Sequence, residues 1–253
     1  MNKEEILRIL NQYNLPKDEY IVIFGAALVL YDIKEKTKNI DIVVTPKLEQ
    51  YLLKKYQTEI KFHNKENGKN IYLIDNIISF STNLNEILEN GQYKNQNGYN
   101  IQEINSIIKL KEKLGREKDL KDIEKIKTYQ LLKNINVLAL AYIGDSIYDI
   151  YIRKYLIKSG ITKVNNLQKR AIKYVSASGQ AKYLKQMIDT NFLTIQEIEL
   201  VKRARNHKSH KCPKNTDVTT YKNATGIEAL VGYLYLKEDK ERLDQIMNFI
   251  VGD

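Results

Sequence analysis

Two carboxylates in this sequence stand where a carboxylate is costly. In "LALAYIGDSIYDIYIRKYL" (Leu138 to Leu156), Leu138, Ala141, Tyr142, Tyr148, Ile152 and Tyr155 recur at the spacing of one helix face. Asp145 lies on that same stripe, directly after Gly144. In "ATGIEALVGYLYL" (Ala224 to Leu236), Glu228 sits inside an apolar helical run, one turn before Gly232. An ionised carboxylate among apolar neighbours is strongly penalised unless a cation or a set of donors meets it. A single acid of this kind can reach solvent or pair with a lysine. Two of them, each beside a glycine that lets helices approach closely, form a pocket that demands a cation if the helices pack face to face. Oxygen ligands of this kind suit Mg²⁺, which keeps several waters and takes one or two protein carboxylates.

The elements that must position these groups are all helical. From Ile135 the patterning predicts helices near 136–158, 164–188, 194–205 and 223–236, with a short one at the C-terminus and no strand. The first half alternates instead. Glu4–Tyr13 reads as an amphipathic helix, Tyr20–Phe24 as a short buried strand, and Gly25 to about Asp32 as a helix. Ile40–Val44 is a second strand, and Pro46 opens a helix to about Tyr56. Further strands are expected near Ile60–Phe62, Ile71–Asp75 and Ile77–Phe80, with helix from Ile101 onward. Strands interleaved with helices mark an α/β layer structure. The expectation is therefore multi-domain: an α/β domain over residues 1–132 and an all-α domain over 133–253. A continuous or barely broken helix crosses the border near Leu132–Ile135.

Composition narrows the partners. The chain has 253 residues, 43% hydrophobic and 28% charged, with a net charge of +10, as expected of a globular protein with a polyanionic partner. From Ile135 onward 19 basic residues face 12 acidic ones, so most of the excess lies in the second half. No run reaches the length of a membrane span, and MNKEEILRIL is not patterned as a signal peptide. With a single cysteine, Cys212, a cytoplasmic location and no membrane partner are expected. The densest basic segment is Lys202–Lys222, with Arg203, Arg205, Lys208, Lys211, Lys214 and Lys222, and with Thr216 able to bond phosphate oxygens. By charge alone it is a solvated surface. His207, His210 and Cys212 within it are too few ligands for a structural zinc centre.

The strings "LAYIGDSIYDIYIR", "KRAIKYVSASGQAKYL" and "RARNHKSHKCPKNTDVTTYKNATGIEALVGYLYL" resemble Mini-RNase III, the short bacterial branch of the RNase III endonucleases, over roughly residues 135–250. The resemblance implies an all-α RNase III fold, a homodimer, and Mg²⁺-dependent hydrolysis of double-stranded RNA in maturation of the large-subunit (23S) ribosomal RNA precursor. A large-subunit ribosomal protein is a further implied partner. Asp145 and Glu228 would be the catalytic metal ligands. Asp149, one turn on, is an accessory candidate that could equally be a solvent-facing helix position. The basic segment, with Arg203, Arg205, Lys208, Lys211, Lys214, Thr216 and Lys222, would contact RNA. Full-length RNase III carries a glutamate where Ala141 stands and an aspartate where Thr225 stands; both losses resemble the mini branch. No double-stranded-RNA-binding domain is expected after Glu228, with 25 residues remaining.

In the first half, "FGAALVLYDIKEKTKNIDIVV" (Phe24 to Val44) and "LGREKDLKDIEKI" resemble the opening and closing of a minimal nucleotidyltransferase domain. That family places two metal-binding aspartates at alternate strand positions after a Gly-Gly or Gly-Ser turn. Here the pair reads Asn39-Ile40-Asp41 and the turn Gly25-Ala26, so the expectation is a degenerate, non-catalytic domain. Asp75 is a candidate third ligand, or simply the end of a strand. The alternatives are an active nucleotidyltransferase acting on RNA or protein, against which Asn39 argues, and a non-catalytic RNA-binding scaffold, against which Asp145 and Glu228 argue.

Overall fold

The computed structural model describes residues 1–66, 69–207 and 217–252. The chain divides into two compact units, Met1–Lys127 and Thr128–Asp253, each with its own hydrophobic core.

The first unit is a mixed sheet with helices. In chain order it contains α1 (Lys3–Tyr13), β1 (Tyr20–Val22), α2 (Phe24–Leu30), β2 (Ile40–Val44), α3 (Pro46–Lys55), β3 (Ile60–Glu66), β4 (Lys69–Ile74), β5 (Ile78–Ser81), α4 (Glu86–Glu89), β6 (Tyr93–Gln96), β7 (Tyr99–Gln102), α5 (Ile104–Leu114) and the start of α6 (Glu117–Asn134). The seven strands run in the order β3-β4-β5-β2-β1-β7-β6. β2 lies antiparallel to β1 and parallel to β5, and β1 is parallel to β7. Local chemistry sets the ends. Asn2 and Glu5 close a capping box on α1, and Thr45 caps α3 ahead of Pro46 at its first turn. The β6–β7 hairpin was not expected. Asn97 and Gly98, both at positive φ, make the turn that joins it, and helix begins only at Ile104.

Between α5 and α6 lies a buried charge cluster. Lys111 Nζ donates to Asp119 at 2.9 Å and to Asp122 at 2.8 Å, Arg116 also pairs with Asp119, and Lys34 with Asp122. Burial opposes ionisation of both aspartates, but these cations overcome it and hold each carboxyl below its usual range.

The second unit has no strand among its described residues. It contains α7 (Val137–Lys158), α8 (Val164–Val175), α9 (Ala177–Asp189), α10 (Ile195–Asn206), α11 (Val218–Leu236) and α12 (Lys240–Val251). Asn136 caps α7 by accepting from the Leu138 N–H, two residues after α6 ends. The single helix expected over 164–188 is two. At Ser176 the backbone is extended, and its Oγ accepts from the Gly179 N–H to start α9. An added Cβ on Gly179 would stand 2.4 Å from the Lys173 carbonyl oxygen, so the corner closes only on glycine. α11 is the hub: Ile227, Leu230, Val231 and Leu234 are buried in one core with Leu140, Tyr148 and Ile152 of α7, Leu184 and Met187 of α9, and Val201 of α10. A bidentate pair between Arg242 and Glu197 ties α12 to α10. Among the described residues no single helix is long and apolar enough to cross a membrane.

Candidate active site

The two glycines decide how close α7 and α11 come. A Cβ added to Gly144 would lie 1.8 Å from the Glu228 carbonyl oxygen and 2.8 Å from the Gly232 nitrogen. One added to Gly232 would lie 2.0 Å from the Leu140 carbonyl oxygen and 3.0 Å from the Gly144 nitrogen. Backbone therefore rests on backbone at this crossing, with each glycine seated against the other. Asp145 directly follows Gly144, and Glu228 supplies the carbonyl that Gly144 meets. The backbone positions that carry both side chains are thus set by this close contact between the two helices.

The electrostatics are asymmetric. Glu228 is half-buried, and its carboxyl is pushed up to about 7, first by burial and then by the Asp145 charge. Gln180 of α9, only 2% exposed, faces Glu228 closely enough to favour its ionised form. Its Nε2 still makes no hydrogen bond of normal geometry, so a buried donor is left aimed at the carboxylate without satisfying it. Tyr148, fully buried, lies near enough for the Glu228 charge to reinforce the effect of burial, which raises its phenol. Its hydroxyl donates to the Tyr174 carbonyl at 3.2 Å. Among the described residues no cationic side chain pairs with either Asp145 or Glu228.

Asp145 corrects the sequence reading. It is exposed, not buried, and Tyr142 on the same supposed core stripe is 82% exposed. The buried face of α7 runs instead through Val137, Leu140, Ala141, Gly144, Ile147, Tyr148, Ile152 and Leu156. The apolar residues outside that face, Tyr142, Ile150 and Ile157, form an exposed stripe.

The other candidates are scattered. Asp149 pairs with Arg153 of its own helix at 2.5 Å. Arg203 and Arg205 lie in the last turn of α10, and Lys222 in the second turn of α11, so these three are helical positions. Lys208, Lys211, Lys214 and Thr216, with His210 and Cys212, lie outside the described residues. In the first unit Asn39 immediately precedes β2 and Asp41 lies in it. Burial pushes the Asp41 carboxyl up, against a hydrogen bond with Ser79 and the charges of Lys118, Lys111 and His63. Its register partner on β5 is that Ser79. Asp75 is not brought to Asp41: it stands exposed in the turn before β5 and accepts from the Tyr13 hydroxyl at 2.5 Å. The Gly25 turn is tight, for an added Cβ there would sit 3.0 Å from Thr37 Oγ1. Gln180 was not among the candidates. In sequence it is only an amide in "SASGQAKYL", with nothing beside it to set it apart.

Residues 138–239 match the family model of the ribonuclease III domain. Mini-ribonuclease 3 of Enterococcus faecalis is 51% identical over 119 residues, which are 47% of this chain and 90% of that protein. Mini-ribonuclease 3 of Streptococcus pneumoniae is 46% identical over 117 residues, 46% of this chain and 91% of its own. A crystal structure of a protein from Fusobacterium nucleatum is 32% identical over a match covering 48% of this chain and 96% of that one, with a TM-score of 0.43. The Mini-ribonuclease 3 relatives cover the C-terminal half.

Two outcomes follow from the crossing. Gly144→Ala should force α7 from α11 and lower stability by about 3 kcal/mol, read from urea unfolding. Glu228→Gln should act through pH. A carboxyl raised to about 7 in the folded chain, well above the ordinary glutamate value, takes up protons on folding. In metal-free buffer the wild type therefore loses stability as pH climbs through that window and keeps the penalty above it. The variant should be more stable than wild type at pH 8, by on the order of 1–3 kcal/mol, and no more stable at pH 4. Parallel pH profiles would contradict the burial of this charge.

Proposed function

The chain belongs to the Mini-ribonuclease 3 family and is an endoribonuclease; from that premise we propose that Asp145 and Glu228 are its catalytic carboxylates and hold Mg²⁺ during cleavage of double-stranded RNA. The observation that carries this reading is the unrelieved pair itself: a half-buried Glu228 raised by burial and by Asp145, with no paired cation among the described residues. Two oxygen donors of opposite exposure fit Mg²⁺, which needs one anchored ligand and room for water and phosphate. Among the described residues no group of three or more acidic, His or Cys side chains gathers at this pair or elsewhere, so the proposed site offers two protein ligands. When bound, such an ion supplies Lewis acidity at the phosphate and a hydroxide at neutral pH.

The protein's own residues do the positioning. Glu228, held on the backbone contact between α7 and α11, is the rigid ligand, and Asp145 reaches toward solvent, from which the RNA arrives. Gln180 supplies a fixed donor that steadies the Glu228 carboxylate. Arg203, Arg205, Lys208, Lys211, Lys214, Thr216 and Lys222 grip the RNA backbone through phosphate contacts that carry no sequence information. Asp149, paired with Arg153, has no direct part in the metal site in this reading.

The exposed stripe of Tyr142, Ile150 and Ile157, which are 82%, 57% and 61% exposed, supports a homodimer through α7. Two such sites on a two-fold axis would cut one strand each. The substrate we assign is the large-subunit (23S) ribosomal RNA precursor in the cytoplasm, with a large-subunit ribosomal protein as possible partner in that particle. The first unit, read as a nucleotidyltransferase-like domain, keeps Asp41 but has Asn39 and Ser79 at neighbouring positions, with Lys111 and Lys118 close by. One carboxylate among lysines is poorly suited to two-metal transfer, so this domain positions substrate and transfers no nucleotide.

Asp145→Asn and Glu228→Gln should each lower Mg²⁺-dependent cleavage of a labelled RNA duplex by roughly a hundredfold or more, with unchanged far-UV circular dichroism. Wild-type rates in either variant would overturn the assignment.

A further inference from the structure

On α9 and α11, the helices that carry Gln180 and Glu228, lies a pocket of which the reading above uses only Arg205. Ser178, Ala181, Lys182, Leu184, Lys185 and Ile188 of α9 line it, with Arg205 of α10 and Thr220 and Asn223 of α11, and it encloses about 360 Å³. Ser178 and Ala181 flank Gln180 on α9, and Gln180 faces Glu228, so one end of the pocket lies within a helical turn of a residue that meets the carboxylate.

Its chemistry has two parts. The floor is apolar: Leu184 is buried, and Ala181 and Ile188 are partly so. The rim holds Lys182, Lys185 and Arg205, none of which pairs with an acidic side chain among the described residues. Ser178, Thr220 and Asn223 add short polar groups between rim and floor. Unpaired cations around a concave surface attract a phosphate. An apolar floor beneath them accepts the face of a sugar or base. A base-paired duplex cannot fill such a pocket, because its base faces are already covered by stacking and only its edges and backbone are presented.

We propose that this pocket receives one unpaired nucleotide adjoining the duplex, its phosphate held by Lys182, Lys185 and Arg205 and its base or ribose on Leu184 and Ile188. This rests on the reading of the chain as a duplex-RNA nuclease and adds a substrate preference: a duplex bearing an unpaired nucleotide beside the cut is taken over a fully paired one. The pocket, and not only the general basic surface, then sets where along a stem the protein cuts.

The test uses the full chain and a Lys182→Gln/Lys185→Gln double variant, which leaves Arg205 and the carboxylates untouched. Two labelled duplexes of equal length are compared in kcat/KM, one fully paired and one with a single unpaired nucleotide near the cut. Wild type should prefer the second about tenfold, and the variant should lose that preference while cleaving the paired duplex at the wild-type rate. Absence of preference in wild type, or an equal loss on both duplexes, would overturn the proposal, the latter by making the lysines general phosphate attractors. Should wild type cleave neither duplex, the nuclease reading fails, and a second arm still decides the pocket. In that arm uridine monophosphate is titrated by isothermal calorimetry, with inorganic phosphate as control. Saturable binding of the nucleotide, at least tenfold tighter than phosphate and lost in the variant, supports the pocket; equal binding by the variant, or by phosphate, overturns it.

Discussion

The contact between Gly144 and Gly232 is the constraint on which the second unit depends. Helices that meet through side chains keep their backbones apart by the width of those side chains. Here an added methyl on either glycine would penetrate the opposite backbone, to 1.8 Å on one side and 2.0 Å on the other. The contact removes translational freedom between α7 and α11 and fixes the register in which Asp145 and Glu228 face one another. The rest of the unit is built around that register: α9 brings Gln180 to Glu228, and α10 and α12 close the core behind α11. A chain that only needed a stable core would gain by putting larger apolar residues here, since backbone contact buries little apolar area.

The same geometry explains why the pair is costly and why the cost is useful. Glu228 is enclosed enough for its carboxyl to rise to about 7, while Asp145 stands exposed. An isolated protein relieves such a pair by taking up a proton, and a divalent cation relieves it more fully. A raised carboxyl of this kind is what perturbed ionisation at a functional site looks like, and it is the basis of the proposed cation site. The buried lysine–aspartate cluster of the first unit shows the contrast. There Lys111, Lys34 and Arg116 already satisfy Asp119 and Asp122, and the carboxyls are held low. Glu197 of the second unit is satisfied in the same way by Arg242, whereas Glu228 has no cationic partner among the described residues.

Much of this is legible in the amino-acid order, and the failures are instructive. Gly144-Asp145 and Glu228 to Gly232 stand out because glycine and carboxylate are both poor choices for an apolar helix. The periodicity of α7 misleads, however: Tyr142 and Ile150 extend an apolar pattern onto a face that is solvent-exposed in the single chain, and Asp145 belongs beside that face. The break between α8 and α9 carries no proline and no glycine at the corner itself; it rests on the serine cap at Ser176 and on Gly179, already inside α9. The β6–β7 hairpin is written in Asn97-Gly98, but its polar strands lack the alternation that marks a sheet. Gln180 is invisible as a site residue because its burial comes from the packing of α9, not from its own surroundings in sequence.

Whether the α7–α11 crossing holds Asp145 and Glu228 as one divalent-cation site, as proposed, can be seen directly. The most direct measurement is anomalous diffraction at the manganese edge from crystals of the full chain soaked in Mn²⁺, repeated with Glu228→Gln. One strong peak is expected within coordination distance of both carboxylates in the wild type, lost in the variant. A strong peak elsewhere with none at this crossing, or a peak at Asp145 that persists at full height without Glu228, would contradict it.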